Sequence, residues 1–278
     1  MLSPSRQSVT HDGNDFDLAL LERHGIPRGE TSGEKPADLV LFIHGLGCEK
    51  ASFDFAHKAA HVWDEGPLVN ATLLVPDLPG HGGTPAIAGF SCTMEDQAMV
   101  LAALLDLYEF DRLHIVAHSM GGAVGLLLAE NHDLPLASFI NVEGNLYHED
   151  GGLLSRKSAS YDEDIFVAEK FANLLARALK QGVDMQLWAE WGRQCDPRAF
   201  YRSAVSLVKW SDSGELGAIF KSLDCAKAYI HGETSANMAV ISRLEGIECI
   251  EIPASGHFIM TDAPEIFHPT AAQLLALS

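Results

Sequence analysis

The feature that most constrains this chain is a recurrence of short continuous apolar runs: "ADLVLFIHG", "ATLLVPD", "LHIVAHS", "LASFINVE", "AKAYIHG" and "IECIEIP". Runs this short without polar alternation have the form of strands buried on both faces, and such strands belong to parallel sheets covered by helices. Between them lie helical patterns: "SFDFAHKAAHVW", "MEDQAMVLAALLDLYEF", "GGAVGLLLAENH", "NMAVISRL" and "APEIFHPTAAQLLAL". The alternation predicts the α/β class, a mostly parallel, doubly wound sheet with right-handed crossovers and helices on both faces. Ahead of it, "SVTHDGNDFDLALLERHG" predicts a hairpin around Asp12-Gly13, followed by a loop, "GIPRGETSGEKP".

The alternation breaks only between about residues 147 and 225. That segment holds helical runs such as "EDIFVAEKFANLLARALKQG" and "DMQLWAEWGRQ" and no strand-like run. It reads as an inserted helical cap, or lid, at 147–224, over a core domain made of 1–146 and 225–278. No internal repeat, low-complexity tract or Pro/Ser-rich linker interrupts the chain.

Composition narrows the function classes. An apolar content of 47% over 278 residues is ample for a substantial core. Thirty-eight acidic against 19 basic residues give a formal charge of −19, which argues against nucleic acid or an anionic membrane as the main partner. The five cysteines are scattered, odd in number and free of C-x-x-C pairing, so neither a disulfide framework nor a zinc knuckle is expected. The first residues lack the apolar core of a signal peptide, and no run approaches the roughly 18 residues of a membrane span. The expectation is a soluble, cytoplasmic protein; its oligomeric state is not legible.

The sharpest local signal is "LHIVAHSMGGAVGLLLAE": a buried strand, a tight turn centred on Ser119, and a helix opened by Gly121 and Gly122. This is the context a nucleophile elbow requires, with a strained turn projecting the hydroxyl above the sheet and small neighbours permitting close approach of strand and helix. Ala117 stands where the G-x-S-x-G pattern has its first glycine. A nucleophilic serine needs preorganised N–H donors for the developing oxyanion. The candidates are the N–H of Met120 at the helix start and that of Leu46 in "FIHGLGCEKASF". The candidate base is His257 in "IPASGHFIMTDAPEIF", after the last strand and before the last helix, while His44 and His118 are expected to line or support the site.

With "HGLG", "DLPGHGGT" (Asp77 to Thr84), "AHSMGG" and "SGHF" in this order, the chain resembles the α/β-hydrolase superfamily, in its lid-bearing esterase and lipase-like group. The resemblance spans nearly everything outside the cap and does not name a substrate, since this fold serves many chemistries. It implies an acid in a Gly-x-x-Asp turn after the strand that follows the cap. Here that turn reads "YIHGETSAN", with Thr234 and Ser235 where the aspartate would stand. Fungal zearalenone-type lactone hydrolases, which this chain resembles in this respect, place the acid one strand earlier, and the matching residue is Glu143. Glu233 is the runner-up, with Asp212 and Asp224 remote third choices.

Other signals are weaker. His57 and His61 have the i,i+4 spacing of zinc ligands, but Lys58 stands where a zinc protease needs its glutamate, so no metal is expected. No glycine pattern for a nucleotide cofactor is present. Trp188, Trp191 and Trp210 fall in the cap, as core packing or as the lining of an acyl pocket. The reading is a cofactor-independent serine hydrolase of a small-molecule carboxylic ester or lactone, with Ser119, His257 and Glu143 as triad. A carbon–carbon bond hydrolase and a non-catalytic ligand-binding member of the fold are the alternatives.

Overall fold

The computed structural model describes residues 2–25, 37–66, 68–131, 133–150 and 152–276; the expected loop at 25–36 lies, beyond Gly25, outside them. The N-terminal hairpin is β1 (Ser3–His11) and β2 (Asn14–Arg23), turned at Asp12 and Gly13, both with positive φ. Positive φ at both central residues matches the right-handed twist of paired strands. The apolar runs form β3 (Asp38–Ile43), β4 (Thr72–Pro76), β5 (Arg112–His118), β6 (Leu136–Val142), β7 (Ala226–Gly232) and β8 (Glu248–Ile252). One sheet has the order β1-β2-β4-β3-β5-β6-β7-β8, with β1·β2 and β2·β4 antiparallel and the remaining pairs parallel.

Helices α1 (Met94–Leu105) and α2 (Met120–Asn131) precede β6. Between β6 and β7 lie a 3₁₀ turn (His148–Asp150), α3 (Leu153–Ala159), α4 (Glu163–Ile165), a π-helical stretch (Phe166–Lys170), α5 (Phe171–Ala178), α6 (Val183–Gly192), α7 (Pro197–Ser213) and α8 (Glu215–Ser222). α9 (Met238–Ile241), α10 (Ile259–Asp262) and α11 (Pro264–Ala276) complete the chain. The longest of these, α7, has its ends written in sequence: the Asp196 carboxylate accepts the N–H groups of Arg198 and Ala199, Pro197 occupies the first turn, and Gly214 closes the helix at φ 73°.

The continuous apolar runs of the central strands are explained by a core on each face of the sheet, whereas β8, at the sheet edge, is not buried on both faces and leaves Glu248 and Glu251 exposed. Leu39, Leu41, Ile43, Leu113 and Ile115 face the core shared with α1 and α2, whereas Val40, Phe42, Val116 and Ile140 face the core shared with α11. All of them are buried. Strand order runs outward from β3 in both directions, so connections leaving β3 and β5 diverge and open a crevice at the carboxyl edge, where ligands of such sheets bind.

Two expected helices differ. "SFDFAHKAAHVW" forms two 3₁₀ segments, Lys50–Phe53 and Lys58–Asp64. Asp54 stops the first in a left-handed conformation, and the His57 ring accepts the Ala59 N–H to start the second. Ala60 and Trp63, three apart, are its buried residues, the period of a 3₁₀ turn rather than an α-helix. "NMAVISRL" contracts to the single turn α9. The five cysteines are free thiols, and among the described residues no helix is long and apolar enough to cross a membrane.

Candidate active site

Ser119 follows β5 directly and sits at φ 53°, in the left-handed region disfavoured for a residue with a Cβ. Surrounding contacts hold it there. Its N–H donates to Val142 O (3.0 Å), and its carbonyl accepts from the N–H groups of Gly122 (2.8 Å) and Asn145 (3.3 Å). At Gly121 a Cβ would fall 2.2 Å from Ile43 O and 2.7 Å from His44 O, so glycine is what lets α2 start this close to the end of β3. The methyl of Ala117 is accommodated, fully buried, in β5.

Glu143 follows β6 in the same way, at φ 46°, with its N–H donated to Ile230 O of β7 (2.9 Å). Its side chain, 8% exposed, is fully engaged. Oε2 lies 2.7 Å from His257 Nδ1, and Oε1 accepts from the Gly232 N–H (2.8 Å) and from the Ser235 hydroxyl. Burial works to raise the pKa of this carboxyl. The hydrogen bond and charge of His257, with the Ser235 and Gly232 donors, outweigh it and hold the group below the ordinary carboxylate value.

His257 Nε2 lies 3.1 Å from Ser119 Oγ. A carboxylate at Nδ1 fixes the proton there and leaves the Nε2 lone pair facing the hydroxyl. The backbone of His257 is held in turn by His118, whose Nε2–H donates to His257 O (2.9 Å). Burial, first, then the neighbouring His257, depress the His118 pKa far below the ordinary value, so this ring is a neutral strut. His44 is a comparable strut at the end of β3: its Nδ1–H donates to Gly45 O (2.9 Å) and its Nε2 accepts the Leu78 N–H (3.0 Å). Burial pushes its pKa down to about 4. The loop "DLPGHGGT" is thereby tied to "HGLG". Asp77, wholly buried, adds a second tie by accepting from the Lys50 N–H and Nζ (2.6 Å each) and the Gly83 N–H (2.7 Å).

The N–H groups of Leu46 and Met120 donate to no protein acceptor among the described residues. Leu46 borders the same cavity as Ser119, and its carbonyl accepts from Trp188 Nε1 of α6 (3.0 Å). That cavity, of about 320 Å³, opens above Ser119, His257, Glu143 and Ser235. Leu46, Leu154, Met185, Trp188, Leu207 and Phe258 give it apolar walls, and Asn145, Glu149, Asp150, Tyr229 and Asn237 give it a polar one. Of the three tryptophans considered, only Trp188 borders it; Trp191 packs edge-on against Phe258, with ring centroids 5.8 Å apart.

The structure thus brings Ser119, Glu143 and His257 together and leaves the other acids elsewhere. Glu233 turns away to accept the Ala254 N–H (2.8 Å), Asp212 pairs with Arg156 and His148, and Asp224 is exposed. His57 caps a 3₁₀ segment, so the spacing of His57 and His61 does not lie on an α-helix. Sequence reasoning missed Ser235. It counted only as a missing aspartate, whereas its hydroxyl donates to Glu143 across 92 residues of chain. Tyr229 and Asp150 also went unnoticed, because nothing in their local sequence marks a cavity wall.

A family model described as "Alpha/beta hydrolase family" matches residues 40–269. Among curated relatives, a 2-succinyl-6-hydroxy-2,4-cyclohexadiene-1-carboxylate synthase from Enterobacter sp. is 24% identical over 91% of this chain and 97% of its own. A dihydrolipoyllysine-residue acetyltransferase component of an acetoin cleaving system from Cupriavidus necator is 38% identical over 34% of this chain. The chain spans about a quarter of the length of that relative. Among solved structures, an esterase from Thermogutta terrifontis superposes with a TM-score of 0.69 at 18% identity, covering 98% of both chains. The N-acyl homoserine lactonase AidH, complexed with N-butanoyl homoserine, superposes with a TM-score of 0.70 at 16% identity, covering 98% of this chain and 96% of its own. At these identities the superpositions speak to the fold.

Proposed function

The chain belongs to the alpha/beta hydrolase family, and on that premise we propose that it is a serine hydrolase cleaving a carboxylic ester or lactone of modest size through a Ser119-His257-Glu143 triad. One observation carries the reading: an unbroken chain of hydrogen-bond contacts from the Glu143 carboxylate through His257 to the Ser119 hydroxyl, ending at the floor of a cavity. The esterase and lactonase neighbours in structure favour the same substrate class.

In the proposed reaction Ser119 Oγ attacks the carbonyl carbon while its proton passes to His257 Nε2. The negative charge moves to the carbonyl oxygen, which the N–H groups of Leu46 and Met120 stabilise. The intermediate collapses by breaking the carbon–alkoxide bond, and His257 gives its proton to the leaving oxygen. Water, deprotonated by His257, then attacks the acyl carbon, the bond to Ser119 Oγ breaks, and His257 returns the proton to that oxygen as the acid leaves. Glu143 stabilises the imidazolium formed in each half.

Residues 147–224 are read as a cap that closes the cavity and selects the substrate. Leu154, Met185, Trp188 and Leu207 of that segment support this, since they form walls facing Ser119. The free thiols accord with a reducing compartment such as the cytoplasm.

The test is labelling with a serine-directed phosphonate beside p-nitrophenyl butyrate hydrolysis. The expected result is one adduct, at Ser119, with activity lost in step and absent from Ser119→Ala. Hydrolysis of a vinylogous diketone without ester hydrolysis would move the reading to carbon–carbon bond cleavage. No adduct and no activity on either would leave a binding protein.

A further inference from the structure

The polar wall of the cavity carries a feature the proposed triad does not use. Tyr229, on β7, is 3% exposed, yet it borders the cavity, and its hydroxyl keeps accessible surface there while making no hydrogen bond to another described residue. A phenol hydroxyl that opens on a cavity and is engaged by no protein group is a donor free for a ligand oxygen. Beside it the wall is acidic. Asp150 accepts the N–H groups of Leu146 (2.9 Å) and Tyr147 (3.1 Å) through Oδ2, and Glu149, held by Arg243 (2.5 Å), receives Asn237 at its carbonyl (3.0 Å). With Glu143, three carboxyl groups border the cavity, and among the described residues no lysine or arginine does.

Resting on the hydrolase reading above, we propose that this wall sets specificity: Tyr229 donates a hydrogen bond to an uncharged oxygen of the substrate, and Asp150 and Glu149 exclude substrates bearing a carboxylate or phosphate. Burial and the nearby carboxyls of Asp150 and Glu143 keep the Tyr229 phenol protonated, as a donor must be. An anion entering a partly desolvated cavity meets like charge with no lysine or arginine among the lining residues, and the nearby Arg243 is already paired with Glu149, so the repulsion is stronger there than in water. A neutral ester, ether or hydroxyl oxygen can accept from the phenol without that cost. The product acid leaves as an anion, so the same wall favours its release.

The experiment compares two matched esters, methyl p-nitrophenyl adipate and p-nitrophenyl hydrogen adipate, with Ser119→Ala as the blank. The expected kcat/KM is about tenfold or more higher for the methyl ester. Tyr229→Phe should lower the rate on the methyl ester, relative to p-nitrophenyl butyrate, roughly three- to tenfold. Glu149→Gln, which removes one carboxylate from the wall and frees its partner Arg243, should raise the rate on the anionic ester. Equal rates on the two adipates, or a faster anion, would overturn the proposal.

If no ester is cleaved, the hydrolase reading fails and the specificity is still read by calorimetric titration of Ser119→Ala with dimethyl adipate and monomethyl adipate. Tighter binding of the diester supports the wall as described. Equal or tighter binding of the anion, or no binding of either, refutes it.

Discussion

At the carboxyl end of β6 a single residue, Glu143, takes a left-handed conformation and extends a carboxylate to His257. At the end of the neighbouring β7, residues 232–235 offer the same carboxylate an N–H and a hydroxyl, while Glu233 turns outward to Ala254. The two strand ends are complementary, with β6 supplying the charge and β7 solvating it. The Nδ1 of His257 finds its acceptor on β6, in Glu143 Oε2, while the β7 end reaches the other carboxylate oxygen. What fixes the choice is the unusual φ at Glu143, which turns its side chain across the end of β7 instead of along the strand.

Reversing that division is the strongest way to break the contrast. In a Glu143→Gln background, adding Ser235→Asp should return a carboxylate to the imidazole from the β7 side and raise kcat by roughly tenfold or more, measured on p-nitrophenyl butyrate. A double variant no faster than Glu143→Gln would mean that β7 cannot present an acid to His257 in this framework.

Removing only the solvating hydroxyl should have a smaller effect. Ser235→Ala takes away one of the donors that favour ionised Glu143, so the pKa of that carboxyl rises and activity on the acid side is lost at a higher pH than in the wild type. The fall in kcat near neutrality should be roughly three- to tenfold. A pH profile superimposable on the wild type would place Ser235 outside the charge balance of the site.

A weaker effect separates the strand ends from the loop that carries Leu46. Trp188→Phe keeps most of the aromatic wall but loses the hydrogen bond to Leu46 O, so kcat on the butyrate ester should fall by roughly two- to fivefold. An unchanged kcat with a raised KM would assign Trp188 to substrate contact alone.

The smallest effect on the site lies in its scaffold. Burial depresses the pKa of both His44 and His268 from 6.5 to about 4. The folded state keeps these rings neutral while the unfolded chain protonates them, so between pH 6.5 and 4 the unfolded state binds more protons. Their contribution to stability is therefore complete above about pH 6.5 and lost as pH falls toward 4. Asp150 acts oppositely: burial raises its pKa from 3.8 to about 6, and its cost grows as pH rises through that window. The expected Tm falls on acidification, and falls more steeply in Asp150→Asn, where the opposing group is gone. A Tm that rises on acidification would contradict the neutral state assigned to the two histidines.

Much of this was legible from local pattern. Strands buried on both faces announce themselves as continuous apolar runs, and the order of strand, serine, paired glycines and helix around Ser119 needs only neighbouring residues to be seen. His257 was identifiable from its place after the last strand. Glu143 was reached through resemblance, because its defining traits, a positive φ and an acceptor role across the sheet, are not written in adjacent residues. Ser235, Tyr229 and Asp150 act through contacts with distant segments, so their types alone carried no signal. The 3₁₀ segments at 50–64 were misjudged for a related reason: Asp54 and His57 interrupt the helix through backbone geometry and a side-chain cap that an apolar period does not register.

The proposed role of Glu143 is decided by the kcat of Glu143→Gln beside Glu233→Gln on p-nitrophenyl butyrate, with Ser119→Ala as the blank and circular dichroism to confirm folding. The expected result is a loss of roughly 10²- to 10⁴-fold for Glu143→Gln and a rate near the wild type for Glu233→Gln. A folded Glu143→Gln protein that keeps the wild-type rate would contradict it.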